Sequence, residues 1–148
     1  MPHLIENRKA KFEYEILEKF EAGIELLGFE VKSLKNGRAS LEGAFVIIRG
    51  NEAFLTGAHI PPYQAKNTPA DYDPYRLRRL LLTKKEIDYL TGKEKVKGLT
   101  IIPLSLYTKG PKIKISIAVV KGKKKSDKRE TIRKRETERE IRRTLKNG

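Results

Sequence analysis

The stretch KFEYEILEKFEAGIEL, residues 11–26, constrains the fold more than any other. Its even positions read Phe12, Tyr14, Ile16, Glu18, Phe20, Ala22, Ile24 and Leu26; its odd positions read Glu13, Glu15, Leu17, Lys19, Glu21, Gly23 and Glu25. Side chains alternate across a strand, so this period of two predicts one buried and one wet face. The apolar positions do not recur at three and four, which argues against a helix even though Glu and Leu favour one. The run is too long for an ordinary flat strand. Gly23 within it predicts a bent strand of the kind that serves two sides of a small barrel.

The rest of the chain supplies partners for that strand. GFEVKSLKNG reads as a short helix, with Val31 and Leu34 three apart and Asn36-Gly37 as its stop. GAFVIIRGNEAFLTGAHI reads as two strands about a Gly50-Asn51 turn. A Pro-rich connection, PPYQAKNTPADYDPY, leads to RLRRLLL, taken as a strand. Thr83 to Glu86 has the form of a capping box, so a helix should start after Thr83 and stop at Gly92. LTIIPLSLY and KIKISIAVV complete the set, with Pro103 marking an edge or a bulge. About six short or bent strands with small helices between them describe a mainly β fold, an antiparallel barrel of the oligonucleotide-binding (OB) type. That barrel should occupy residues 1–121.

Residues 122–148 differ in kind. GKKKSDKRETIRKRETEREIRRTLKNG carries twelve Lys or Arg against five Asp or Glu, and its large apolar residues are Ile132, Ile141 and Leu145. It cannot build a core, and is expected to be disordered alone and to fold on binding. It supplies half of the chain's formal net charge of +14, which comes from 33 basic and 19 acidic residues. A charge this large makes RNA the leading partner class, through release of counterions from phosphate. An anionic membrane would want large apolar side chains on one face of a basic helix, which the tail lacks. No membrane or DNA partner is expected. The absence of cysteine excludes disulfides, thiol nucleophiles and cysteine zinc sites. No apolar leader precedes the first strand, and a cytoplasmic location is expected.

No catalytic constellation stands out. His3 and His59 are far apart and without evident partners, His3 reading as part of a frayed end and His59 as a packing or surface residue. No Gly-rich phosphate loop, cofactor site or metal site is expected, and the chain reads as a binding protein rather than an enzyme. ENRKAK reads as a solvated N-terminus. DPYRLRRLLLTKK places Arg76, Arg78, Arg79, Lys84 and Lys85 near Tyr75, a pairing suited to phosphate contact and stacking. Glu21, on the polar side of the long strand, could accept hydrogen bonds from base edges or orient an Arg; an exposed strand Glu is the plainer reading.

The stretches ENRKAKFEYEI, FEAGIELLGFEVKSL, IPPY, DPYRLRRLLL, KKEI, LTIIPLSLY, GKKKSDKR and REI, in this order and over nearly the whole chain, resemble the SmpB family. These small proteins, also known as SsrA-binding proteins, partner transfer-messenger RNA (tmRNA, or SsrA RNA) in bacterial ribosome rescue. The resemblance implies an OB-type barrel that grips the tRNA-like domain of tmRNA. Asn7, Glu21 and Leu81 match family positions important for that grip, and Gly23, Lys32, Arg76 and Arg78 are neighbours in the same surface, the cations meeting phosphates and Leu81 an unstacked base or sugar. It implies delivery of alanyl-tmRNA to an empty A site, with alanyl-tRNA synthetase and elongation factor Tu as functional associates.

The tail would then lie, helical, in the vacant messenger channel against small-subunit RNA. Lys123, Lys124, Lys125, Asp127, Lys128, Arg129, Arg135, Arg139 and Arg142 are its candidate contacts with the decoding centre and channel. Two positions depart from the family pattern. Thr83 stands where His is usual. Ser126 stands where a ring is usual, so its place would be taken by backbone and Lys contacts from Lys123 to Arg129. From a different class, a structural ribosomal protein with an RNA-threading basic tail is the alternative.

Overall fold

The computed structural model describes residues 3–64, 66 and 68–123. The elements run β1 (His3–Glu6), α1 (Arg8–Glu13), β2 (Tyr14–Ile24), α2 (Gly28–Lys35), β3 (Phe45–Arg49), β4 (Glu52–Thr56), β5 (Arg78–Leu81), α3 (Lys84–Glu94), β6 (Leu99–Lys109) and β7 (Lys112–Gly122). All seven strands join one antiparallel sheet in the order β1-β6-β7-β2-β5-β4-β3. The sheet curls until β3 packs near β6, enclosing a core that includes Ala22, Leu34, Leu55, Leu80, Leu106 and Ile117. The mainly β barrel expected from the alternation is therefore present, with seven strands among the described residues where about six were expected.

The extra strand lies in the basic N-terminus. His3–Glu6 pairs with β6, and Arg8–Glu13 forms a short helix, so this segment is neither frayed nor simply solvated. The helix also takes Phe12 and Glu13 from the long alternating run, which begins as a strand only at Tyr14. A helix of under two turns is too short to show a period in sequence.

The long strand bends at Leu17, six residues before its glycine. Register slips by one residue between Ile16 and Glu18, leaving Leu17 as the extra residue of a bulge. Beyond the bulge Phe20, Ala22 and Ile24 meet the main core; before it Tyr14 and Ile16 meet a second cluster of Ala10, Ile102, Ala118 and Val120 on the outer face. The even-numbered apolar residues on either side of Glu18 thus serve two cores on opposite faces of the sheet, because one inserted residue exchanges the faces. The small helix α1 covers the outer cluster through Ala10.

Local chemistry accounts for the connections. Gly50 and Asn51, with φ of 58° and 63°, form the two-residue β3–β4 turn whose twist matches the strands. Pro103 adjoins a bulge in β6, as expected. At α3 the Thr83 hydroxyl accepts the Glu86 N–H at 3.2 Å and Glu86 accepts the Thr83 N–H at 3.0 Å. The helix runs past Gly92 to Glu94, whose carboxylate accepts the Ile48 N–H at 2.9 Å and pairs with Arg49 at 3.2 Å. That contact with the β3 end supplies a reason to continue that no local signal could give. Among the described residues no helix is long and apolar enough to cross a membrane.

Among the described residues the largest fully buried side chain is Arg78, and it meets an equally buried Glu30. Its guanidinium donates to Glu30 Oε2 from Nε at 2.9 Å and from Nη2 at 2.7 Å, and reaches the carbonyls of Ala58, Pro74 and Arg76. Arg76 adds bonds to Glu30 at 2.5 and 3.1 Å, and the Leu27 N–H another at 2.7 Å. Burial pushes the Glu30 carboxyl up, but the bonds from Arg76, Leu27, Tyr72 and Arg78 outweigh it and hold it below its ordinary value. Its contribution to stability is therefore complete above the ordinary value of 4.5 and lost as pH falls through the lower folded value. Replacing Arg78 by Met should cost about 3 kcal/mol in urea unfolding at neutral pH, since it strands a buried carboxylate. Arg76→Met, at a partly exposed site, should cost less, and the Arg78 variant should also unfold at higher pH during acid titration. Equal costs for the two variants would contradict this ranking.

Candidate nucleic-acid interface

Strand pairing decides which candidate residues meet. On the outer face, Glu21 lies opposite Ser116 of β7, which lies opposite Ser105 of β6; Gly23 lies between Leu81 of β5 and Lys114 of β7, which faces Tyr107 of β6. Helix α1 covers the other end of this face, so the end holding Glu21, Leu81 and Lys109 stays open.

Glu21 is held rather than free. The Tyr107 hydroxyl donates to Oε2 at 2.5 Å and the Lys109 ammonium to Oε1 at 2.9 Å. The Tyr107 bond, then the Lys109 bond, with charge from Lys109 and Lys114, hold its carboxyl below the usual range. Tyr107 is pushed up to about 12, first by burial and then by Glu21. The carboxylate is thus an anion with a fixed direction at neutral pH. Each of its oxygens retains a lone pair for an incoming donor such as a base amino or imino group.

Gly23 allows the cross-strand neighbour to lie close. A Cβ built there would sit 3.1 Å from Leu81 Cβ and 3.3 Å from Cδ1, so the leucine would have to shift by a few tenths of an ångström. Leu81 stands half exposed over the glycine. Asn7 lies at the entry to α1, but its side chain does not cap the helix. Its backbone N–H donates to the Leu104 carbonyl at 2.8 Å and its Nδ2 to the Pro103 carbonyl at 2.9 Å. Asn7 therefore fastens the β1–α1 junction to the β6 bulge.

The other candidates divide differently from the expectation. Arg78 is fully buried and its donors are engaged within the protein, so the phosphate contact expected of it is corrected to a structural role. Arg76 is partly exposed while it pairs with Glu30. Lys32, exposed on α2, lies 5.9 Å from the centroid of the Tyr63 ring. Lys32 and Arg76 thus belong to the α2 side of the molecule, and β5 links the two groups, with Arg78 at one end and Leu81 at the other. Strand β7 runs through Gly122, and Lys123 remains tied to α1: its N–H donates to Glu13 O at 3.0 Å and its ammonium to Lys11 O at 2.8 Å. Lys124, Lys125, Asp127, Lys128, Arg129, Arg135, Arg139 and Arg142, with Ser126, lie outside the described residues.

Sequence reasoning missed Glu30, Tyr107 and Lys109. Tyr107 and Lys109 share a parity near the end of an apolar strand, which could have placed both on one face, though not opposite Glu21. Replacing Tyr107 by Phe removes the largest influence on Glu21, so the Glu21 carboxyl should titrate nearer 4.5. Side-chain carboxyl NMR would read the shift; an unmoved Glu21 would mean the hydroxyl does not hold it in solution.

Comparison with known proteins converges on one family. The profile of the family described as SmpB protein matches residues 4–147. The SsrA-binding protein of Gloeothece citriformis is 48% identical over 143 residues, covering 97% of this chain and 92% of its own. That of Synechococcus sp. (strain JA-3-3Ab) is 50% identical over 143 residues, covering 97% and 93%. A solved chain described under "tmRNA-SmpB: a journey to the center of the bacterial ribosome" superposes with a TM-score of 0.68 at 42% identity, covering 86% of this chain and 93% of that one. A barrel of this topology, matched along nearly its whole sequence by the family profile and by relatives near half identity, places the chain in the SmpB protein family.

Proposed function

We propose that this protein binds tmRNA and serves trans-translation, the rescue of stalled ribosomes. The observation that carries the reading is the likeness to SsrA-binding proteins along nearly the whole chain, joined to the structural likeness to a tmRNA–SmpB chain. The open end of the outer face suits the task. It offers a fixed carboxylate at Glu21, an apolar side chain at Leu81 and cations at Lys109 and Lys114 within one curved surface. RNA that is read outside its duplexes needs such a mixture: acceptors for base edges, apolar surface for unstacked rings, and cations for phosphate.

In this reading the barrel grips the tRNA-like domain through Glu21, Gly23 and Leu81, with Asn7 bracing the adjoining bulge and Lys32 and Arg76 offering charge from the α2 side. The tail, from Lys123 through Arg142, enters the vacant messenger channel, where Lys and Arg suit walls of phosphate. No codon pairs with an anticodon in an empty A site, so protein contacts take that place. The protein contributes binding and placement rather than bond chemistry. Peptide transfer belongs to the ribosome, charging to alanyl-tRNA synthetase, and delivery is shared with elongation factor Tu, in the cytoplasm.

Two variants separate the barrel from the tail. Glu21→Lys should weaken binding to a tRNA-like-domain fragment by about tenfold or more, the loss expected for one charge-assisted contact. Truncation after Gly122 removes half the net charge, so nonspecific RNA affinity and its salt slope should fall while specific fragment binding largely survives. Tagging on ribosomes stalled on truncated messenger should collapse in the truncated protein. A fragment-binding titration against ordinary tRNA, beside the tagging assay, reads both; truncation that abolished fragment binding as thoroughly as Glu21→Lys would make the tail a tmRNA clamp.

A further inference from the structure

Tyr75, Leu77 and Leu81, with exposures of 57%, 51% and 49%, are the most exposed large apolar side chains among the described residues. They fall within seven positions of one segment and share its parity. Arg78 and Leu80 point inward and are buried, which leaves Arg79 and Leu81 outward along β5, with exposed Leu77 just before the strand and exposed Tyr75 in the turn that leads into it. The row ends at Leu81 over Gly23, so it continues the surface that carries Glu21. We propose that this outward row from Tyr75 to Leu81 is a stacking platform for unpaired bases of the RNA bound at the Glu21 face, with Tyr75 as its outermost ring.

Three observations support RNA as the occupant. The mount is rigid: Arg78 binds the carbonyls of Pro74 and Arg76 on either side of Tyr75, the Tyr75 N–H donates to Asp73 Oδ1 at 2.9 Å, and the His59 ring packs on Tyr75 at 4.8 Å between centroids. His59 is itself pinned by a two-bond bridge to Ser40. A ring held in place before binding loses little freedom when a base stacks on it. A cation is also at hand. Arg79 lies within the row, and its pairs with Glu25 and Glu52, at 3.3 and 3.4 Å, are solvated and weak enough to give way to a phosphate. Finally, exposed apolar side chains with a cation among them suit bases, which offer π-faces beside charged phosphates.

The inference rests on the tmRNA-binding reading, and its test separates the two. The chain has no tryptophan, so Tyr75→Trp in the full-length protein introduces a single reporter at the head of the row. Its emission should be quenched on titration with the tRNA-like-domain fragment, over the concentration range in which a gel shift records binding. A fully paired RNA duplex of similar length should leave it unquenched. Tyr75→Ala with Leu77→Ser should lower fragment affinity by about tenfold, with little change in the thermal midpoint because both side chains are more than half exposed. Unchanged emission and unchanged affinity while the fragment still binds, with binding sensitive to Glu21→Lys, would overturn the platform and leave the tmRNA reading standing. Loss of tagging with full fragment affinity would assign the row to a protein partner and equally overturn it. Failure of the unaltered protein to prefer the fragment over ordinary tRNA would remove both.

Discussion

The contact between Glu30 and Arg78 organises more of this molecule than any other. One carboxylate, buried on α2, gathers Arg76, Arg78, the Tyr72 hydroxyl and the N–H of its own helix start. The Tyr72 hydroxyl lies 2.8 Å from both Glu30 and the Ile60 carbonyl while accepting from Arg78, so its single proton serves one of the two at a time. Burial and then the Glu30 bond push that phenol up to about 12. Phe29 meets the Tyr72 ring edge-on, and the Ser33 hydroxyl donates to the Pro61 carbonyl. A helix, a central strand and parts of the long connection between β4 and β5 are thereby fixed to one another. A buried ion pair is not in general more stable than well-packed apolar side chains. What it provides here is directional: Arg78 satisfies carbonyls that a Leu or Met could not reach.

That fixation has consequences at the surface. Because Arg78 and Leu80 face inward, their neighbours in the same strand must face outward, and so Leu81 comes to lie over Gly23 beside the Glu21 carboxylate. The same parity that spends one arginine on the core leaves Arg79 available to solvent. The surface combines two kinds of feature. Glu21 is held by Tyr107 and Lys109 in a fixed direction, whereas Arg79 sits in solvated pairs that exchange readily. RNA recognition benefits from both, since direction reads bases and mobile cations follow phosphates.

The barrel was legible because its strongest signal is local. Alternation in Tyr14–Ile24 and in Ile113–Val119, the Gly50-Asn51 turn and the Thr83–Glu86 capping box each depend on residues within a few positions of one another, and each appears in the structure. The N-terminal strand and helix were not legible, because four residues of strand and six of helix are too short to display a period. The bulge at Leu17 was invisible for a different reason: the sequence alternates evenly through it, and only the pairing partner Val120, giving way to Val119, shows that a residue has been inserted. The candidate site was read in part. Glu21, Gly23 and Leu81 do meet on one face, but Arg78, placed among the phosphate contacts, is a core residue.

The sequence by itself determined that this chain forms a mainly β barrel with a basic tail, that its partner should be RNA, and, through its ordered motifs, the family it resembles. These follow from periodicity, charge and turn chemistry, which act over a few residues or over the whole composition. Only the tertiary structure decided which of its arginines face solvent and which face the core. Arg78 and Arg79 are adjacent and chemically alike. They part because Glu30, 48 residues before Arg78, is folded beneath the sheet, and a buried carboxylate must take its counter-charge from whichever neighbour points inward.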